Sequence, residues 1–213
     1  MEKLVFRDLE SESEINAVLE KVENFSGVRL PFTYAANSRI VGVFLQDQLA
    51  ASYILVTKPS FRSIAFVPDA IKKSNPFFGK DEYDFMEVNG LWIGPALRTP
   101  SQQVRVWFQL IKDIFYSKKQ YVLLMRDLRT RSMERFLNMA NPVEVYTGPP
   151  FLSADSSTHE RIQVSYTTRW KIVLNSHKYL LELRNRHKRA VEFGRRRENS
   201  TAIKHTSVEL AGS

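Results

Sequence analysis

The sequence predicts an α/β (α+β) domain in which helices flank a sheet, and three stretches carry that expectation. Ile40–Leu45 and Leu49–Val56 are apolar runs separated only by Gln46-Asp47-Gln48, a connection of antiparallel-hairpin length. The strand-like Asp84–Ile93 passes through Gly94-Pro95-Ala96-Leu97-Arg98-Thr99 into a long segment whose apolar residues Val104, Trp107, Phe108, Ile111, Ile114 and Phe115 recur at helical steps. Arg105, Gln109, Lys112 and Asp113 fall on the opposite face of that helix. Gln120–Met125 then has the continuous apolar character of a strand buried on both faces.

The remaining elements follow by the same reasoning. Leu4–Leu9 reads as a short strand, and Glu10–Glu23 as a helix with Ile15, Val18, Leu19 and Val22 on one side and Ser11 or Ser13 as its cap. Asn24–Arg39 is rich in turn residues and aromatics without a period and reads as loop or short helix. Residues 57–83 hold three prolines and mixed charge, which suits an ordered excursion that covers a site. Thr130–Ala140 places Met133, Phe136, Leu137 and Ala140 along one side of a short helix, and Val143–Tyr146 and Arg161–Leu174 read as closing β segments. Ser176 is a good N-cap for a helix whose face carries Leu180, Leu183, His187 and Ala190 and which ends at Gly194. The expected organisation is one domain over 1–175, a basic amphipathic helix over 176–194 and a disordered tail over 195–213.

Composition narrows the chemistry. In 213 residues, 43% apolar content is enough to build a core, and no run is long enough for a membrane span or has the shape of a signal peptide, so a cytoplasmic protein is expected. There is no cysteine, and the four histidines, at 159, 177, 187 and 205, show no ligand spacing; disulfides, thiolate catalysis and a zinc centre are not expected. The net charge of +8 is uneven: residues 176–213 contribute nine Lys/Arg against four Asp/Glu. Such a segment either attracts an acidic partner or is a solvated helix and tail.

The turn before the long helix has two readings on its own residues. A strand that feeds a helix N-terminus through a basic turn is a common place to hold phosphate, here with Arg98, Ser101, Gln102 and Gln103. Equally, Thr99 as N-cap, Pro100 at the first helical position and Gln102 at the third form a capping box, which accounts for the same residues as helix-start chemistry. Phe61, Phe66, Phe77, Phe78 and Tyr83 either line a pocket or pack a core.

The order of elements over residues 3–174, with Val5-Phe6-Arg7-Asp8-Leu9, Gly42 to Ala51, and Glu87 to Ile93 continuing to Pro95 and Arg98, resembles the GNAT acyltransferase superfamily. That resemblance implies a mixed, mostly antiparallel central sheet whose fourth strand splays from the fifth. It implies a pantetheine arm in the opening, supplied by acyl-CoA or by an acyl carrier protein, and direct attack of an amine on the thioester. It assigns Leu91, Trp92 and Ile93 to pantetheine pairing, Arg98, Ser101, Gln102 and Gln103 to the phosphates, and Glu87, walled by Trp92 and Tyr83, to the role of base. Asp84 and Tyr53 are further candidates. The sequence departs from the family pattern where Ser101 and Gln103 stand at glycine positions, where Phe136 stands at the place of a tyrosine acid, and where Arg129 stands near a donor-binding asparagine.

Two functions follow. One is N-acyl transfer from acyl-CoA or an acyl carrier protein, a basic acceptor suiting an acidic carrier. The other is a non-catalytic GNAT-like binding or regulatory module in which Lys178, Arg184, Arg186, Lys188, Arg189 and Arg195–Arg197 contact an acidic protein or nucleic acid. Nucleic acid alone is the weaker choice, because exposed aromatics do not interleave with these cations.

Overall fold

A computed structural model describes residues 3–97, 99–129, 131–151, 160–185, 188–189 and 192. Its strands are β1 Leu4–Leu9, β2 Arg39–Leu45, β3 Gln48–Val56, β4 Phe85–Ile93, β5 Tyr121–Asp127, β6 Val143–Gly148 and β7 Ile162–Thr168. The helices are α1 Glu12–Ser26, α2 Phe32–Ala36, α3 Arg62–Ala65, α4 Asp69–Ser74, α5 Pro100–Tyr116, α6 Arg131–Met139 and α7 Arg169–Leu174. A further helical stretch covers 176–185. The strands form one sheet in the order β1-β2-β3-β4-β5-β7-β6, antiparallel except between β4 and β5.

Strand alternation sorts the core into two layers. Ile40, Ile54, Phe85 and Leu123 face α1, with Ile15, Val18 and Val22 packed on them, while Val41, Tyr53, Leu55, Met86 and Val122 face α5. The α1 layer continues into an aromatic stack: Phe77 lies between Phe85, at 4.9 Å, and Tyr166, at 3.9 Å, with the Tyr121 ring edge-on at 5.8 Å. Phe61, Phe66 and Phe77 are therefore packing residues, whereas Tyr83 is 69% exposed and walls nothing.

Helix starts match their residues. Ser11 caps α1 in a capping box with Glu14, and Gly27 closes that helix at φ 71°. Segment 24–39, read as loop or short helix, contains α2, and the proline-rich excursion 57–83 contains α3, α4 and the 3-10 turn Pro76–Gly79, with a second turn at Glu82–Asp84. Two expected boundaries move. The segment expected as one strand to Leu174 breaks at Thr168, whose side chain caps α7; Trp170, Ile172 and Leu174 are thus helical. Ser176 lies inside the helical stretch, because Asn175 already ends α7. The 195–213 tail lies outside the described residues.

The α5 face is corrected as well. Val106, Leu110, Ile111, Asp113 and Ile114 are buried, and Phe108 is exposed. Asp113, expected on the outer face, is drawn inward because its carboxylate accepts the Tyr53 hydroxyl at 2.5 Å and Gln109 Nε2 at 3.1 Å, with the Arg39 guanidinium 3.3 Å away. Arg39 in turn bonds Asp8. A buried carboxylate persists only with such partners, and hydropathy periodicity is blind to them.

Gly90 shapes β4. Ser52 pairs with Trp92 and Ile54 with Asn89, so Tyr53 alone opposes Gly90 and Leu91, a β-bulge. Gly90 sits at φ 56°, and an added Cβ would lie 2.8 Å from the Ile54 side chain. Gly90→Ala should therefore lower stability by about 1–3 kcal/mol through strain and crowding, read as a lower urea midpoint. Tyr53→Phe removes a donor from buried Asp113 and should cost about 1–3 kcal/mol in the same measurement.

Candidate functional site

β4 and β5 pair over three positions only, Phe85 with Tyr121, Met86 with Val122 and Glu87 with Leu123, and then separate. Two features accompany the parting: the bulge at Gly90 shifts the register of β4 on β3, and β5 stays bound to β7 along its whole length. Beyond Glu87 the edge of β4 that faces β5 is left without a strand partner. The gap widens into a cavity of about 910 Å³ that passes through the sheet. Val22, Phe25 and Leu30 bound it on the α1 side; Trp107, Ile111 and Tyr179 bound it on the α5 side. Arg62, Arg126, Asp127 and Arg129 place charge on its walls.

Arg126 is fixed by Gln163, at 2.6 Å, and by Glu134, at 3.2 Å. Arg129 holds Asp127 at 2.7 Å. Both lie where β5 runs out of the sheet, so the open end of the cleft is the charged end.

Glu87 lies one layer behind the wall. It is 1% exposed and does not line the cavity. Its carboxylate accepts the backbone N–H of Arg62 at 2.8 Å, the backbone N–H of Ser63 at 2.9 Å and the Tyr34 hydroxyl at 3.0 Å. Burial pushes the carboxyl above its ordinary value, and these donors pull it back in part. Its surroundings are thus Tyr34, Arg62 and Ser63 rather than the expected Trp92 and Tyr83. Asn89, on the cavity wall, donates to the Tyr34 hydroxyl at 2.5 Å, so a continuous chain runs from wall to carboxylate. Burial, followed by the charge of Glu87, pushes the Tyr34 hydroxyl up as well.

Of the residues assigned to pantetheine, Leu91 lines the cavity; Trp92 turns into the α1 layer, and Ile93 packs with Leu97 and Val106. Strand alternation turns Trp92 away from the other two, and position along β4 separates Leu91 from Ile93. At the start of α5 the capping box is present, with Thr99 and Gln102 bonded both ways. The Gln102 and Gln103 amides, expected to be free for phosphate, both donate to Thr99, and the Gln103 side chain donates to the Leu97 carbonyl at 3.0 Å. Pro100 has no N–H, which leaves the Ser101 amide as the one in this turn not committed to Thr99. Ser101, Gln102 and Gln103 do not line the cavity. Arg98 lies outside the described residues, as does the Phe136 side chain. Asp84 is exposed, and Tyr53 is engaged by Asp113. Lys178, Arg184, Lys188 and Arg189 are exposed, Arg189 bonding Glu182 at 2.9 Å; Arg186 and Arg195–Arg197 lie outside the described residues.

The site residues that the sequence did not single out are Tyr34, Arg62, Ser63 and Asn89. Asn89 shares the sheet face of Glu87 by strand alternation, a signal present in the sequence. Tyr34 and Arg62 sit in short helices within segments that have no period, and nothing local marks them. Among the described residues no cluster of three or more His, Cys, Asp or Glu suits a metal ion, and no helix is long and apolar enough to cross a membrane.

Comparison with protein-family models and with curated protein sequences finds no match. Solved structures do match. FeeM, an N-acyl amino acid synthase from uncultured soil microbes, superposes with a TM-score of 0.60 at 10% identity over 79% of this chain and 93% of its own. A GCN5-related N-acetyltransferase from Brucella melitensis gives 0.53 at 8% identity over 84% and 82%. The ribosomal-protein-S18-alanine N-acetyltransferase from Escherichia coli gives 0.52 at 9% identity over 78% and 94%. At these identities the likeness speaks for architecture, and with the splayed β4 and β5 it leads to one conclusion: this chain has a divergent GNAT fold.

Proposed function

We propose that the protein transfers an acyl group from a pantetheine thioester, carried by coenzyme A or by an acyl carrier protein, to an amine. The observation that carries this reading is the parting of β4 and β5 around a 910 Å³ cavity with charge at its open end and apolar walls within. An extended arm can lie along the unpaired edge of β4 beside Leu91, adding backbone hydrogen bonds as a strand would. Structural neighbours named for N-acyl transfer support the same class of reaction.

In this reading the amine nitrogen attacks the thioester carbonyl carbon, the C–S bond breaks, and the thiolate leaves with the arm. A water at the wall takes the proton that the amine loses and passes it through the Tyr34 hydroxyl to Glu87. Glu87 thus acts from behind the wall through Tyr34, which Asn89 holds in place by donating to its hydroxyl. A carboxyl raised toward neutral pH by burial is a better base than an ordinary one. Arg62, at the wall, adds positive charge where the thioester oxygen becomes negative. Arg98 and Ser101 remain the groups proposed for the phosphate. No second catalytic acid is assigned to Phe136, so the thiolate takes its proton from solvent.

The test is calorimetric titration with acetyl-CoA, longer acyl-CoAs and an acylated carrier protein, followed by thiol release in the presence of amines. Binding that weakens about ten-fold or more in Arg98→Ala supports the reading. No binding to any donor overturns it and favours the non-catalytic module, a result with which the committed Gln102 and Gln103 amides would agree.

Glu87→Gln should lower kcat about 10²- to 10⁴-fold, the range of a general base, and remove the limb of kcat/KM that rises with pH. Stability should move the other way. Because the folded carboxyl titrates above its ordinary 4.5, the folded state holds the proton where the unfolded state has lost it. Stability therefore falls as pH rises from 4.5 through the raised value and is level above it. Glu87→Gln should flatten that segment of urea midpoint against pH.

A further inference from the structure

We infer that the α5 side of the cavity is an apolar chamber for a long acyl chain, with Ile172 setting the chain length it accepts; this rests on the donor reading above. The chamber is bounded by Trp107, Ile111 and Ile114 of α5, Val122 of β5, Ile172 of α7 and Tyr179 of the stretch 176–185. None of these six carries a charge.

Position gives the chamber its direction. Val122 pairs with Met86, within the short segment where β4 and β5 are still joined, so Val122 and Ile114 mark the end away from the open mouth. Arg126, Asp127 and Arg129, at the other end of β5, mark the mouth. A molecule with a polar arm and an apolar tail matches that polarity in one orientation only.

The residues that follow the last strand close the α5 side, Ile172 at the far end and Tyr179 beside the middle of α5. Ile172 is 5% exposed and Tyr179 6%, with Leu183 buried in the same cluster. The Tyr179 ring stacks on Trp107 at a centroid distance of 5.8 Å, and burial pushes its hydroxyl up to about 12, so it stays a neutral wall. The helix expected to serve as a basic arm thus has a second face that closes the cleft.

Size selects the ligand. Pockets that hold drug-sized molecules span roughly 300–1,000 Å³, and the whole cavity, of which the chamber is the α5 part, lies near the top of that range. An acetyl group would leave the chamber lined by apolar side chains without partner atoms and without polar groups enough to hold water. An extended hydrocarbon chain fills it, each buried methylene strengthening binding about three- to four-fold.

The experiment measures binding of S-acyl pantetheines, the portion that coenzyme A and carrier proteins share, with acetyl, octanoyl, dodecanoyl and hexadecanoyl groups, alongside free dodecanoate. The expected result is affinity that climbs with length to a limit. Ile172→Trp should shorten that limit and Ile172→Ala should lengthen it, with folding checked by urea midpoint; Ile111→Phe serves as a second filling variant should Ile172→Trp not fold. Equal affinity for acetyl and dodecanoyl pantetheine overturns the chamber and leaves the donor reading standing. Dodecanoate binding that Ile172→Trp or Ile111→Phe weakens, with no pantetheine bound at any length, supports an apolar-chain chamber and overturns the donor reading. No binding of any probe overturns both.

Discussion

The separation of β4 from β5 is the constraint on which the rest of the molecule turns. A parallel pair inside an otherwise antiparallel sheet needs a crossover, and α5 provides it, returning along one face from the end of β4 to the start of β5. The bulge at Gly90 interrupts β4 while β5 stays paired with β7, and the sheet opens at its centre rather than at an edge. Strand ends that would be an unsatisfied edge elsewhere become the wall of a cavity. The glycine is required twice over, by its positive φ and by Ile54 against its missing side chain.

Two buried carboxylates stand on opposite faces of the sheet and serve different ends. Asp113 receives Tyr53, Gln109 and the charge of Arg39, which ties α5 to β2 and β3. Glu87 receives two backbone amides and a tyrosine hydroxyl, and burial holds its carboxyl above the ordinary value. The first is a neutralised pair that fixes a helix; the second is a carboxyl whose protonation can change. That contrast, together with its place behind the cavity wall, separates a group suited to chemistry from one suited to holding the fold.

Much of the architecture was legible in the residues. The hairpin, the strand into α5, the capping box at Thr99, a serine cap on α1 and the apolar β5 all appear where periodicity and turn chemistry put them. What escaped was of one kind: contacts made between distant segments. The face of α5 was misplaced because Asp113 is drawn inward by Tyr53, sixty residues away in sequence. The environment of Glu87 was misplaced because α2 and α3, which enclose it, come from segments with no repeat to read. Phe61, Phe66 and Phe77 were legible as packing or pocket but not as which, since both uses demand the same residue type.

The two ends of the cleft are best understood together. At the mouth, Thr99 has taken the amides that would otherwise face a phosphate, leaving the Ser101 amide in that turn. Deeper in, Trp107 and Tyr179 along the side and Ile172 at the far end enclose an apolar space. On the function proposed here, the binding energy that a glycine-lined phosphate loop would supply is transferred to burial of the chain. The two terms differ in kind: phosphate contacts hold any donor equally, whereas hydrocarbon burial scales with length. A site built this way gains selectivity for the acyl group from the same change that weakens its hold on the nucleotide, which is the arrangement expected of an acceptor for which the length of the acyl chain, rather than the identity of the carrier, is the quantity being read.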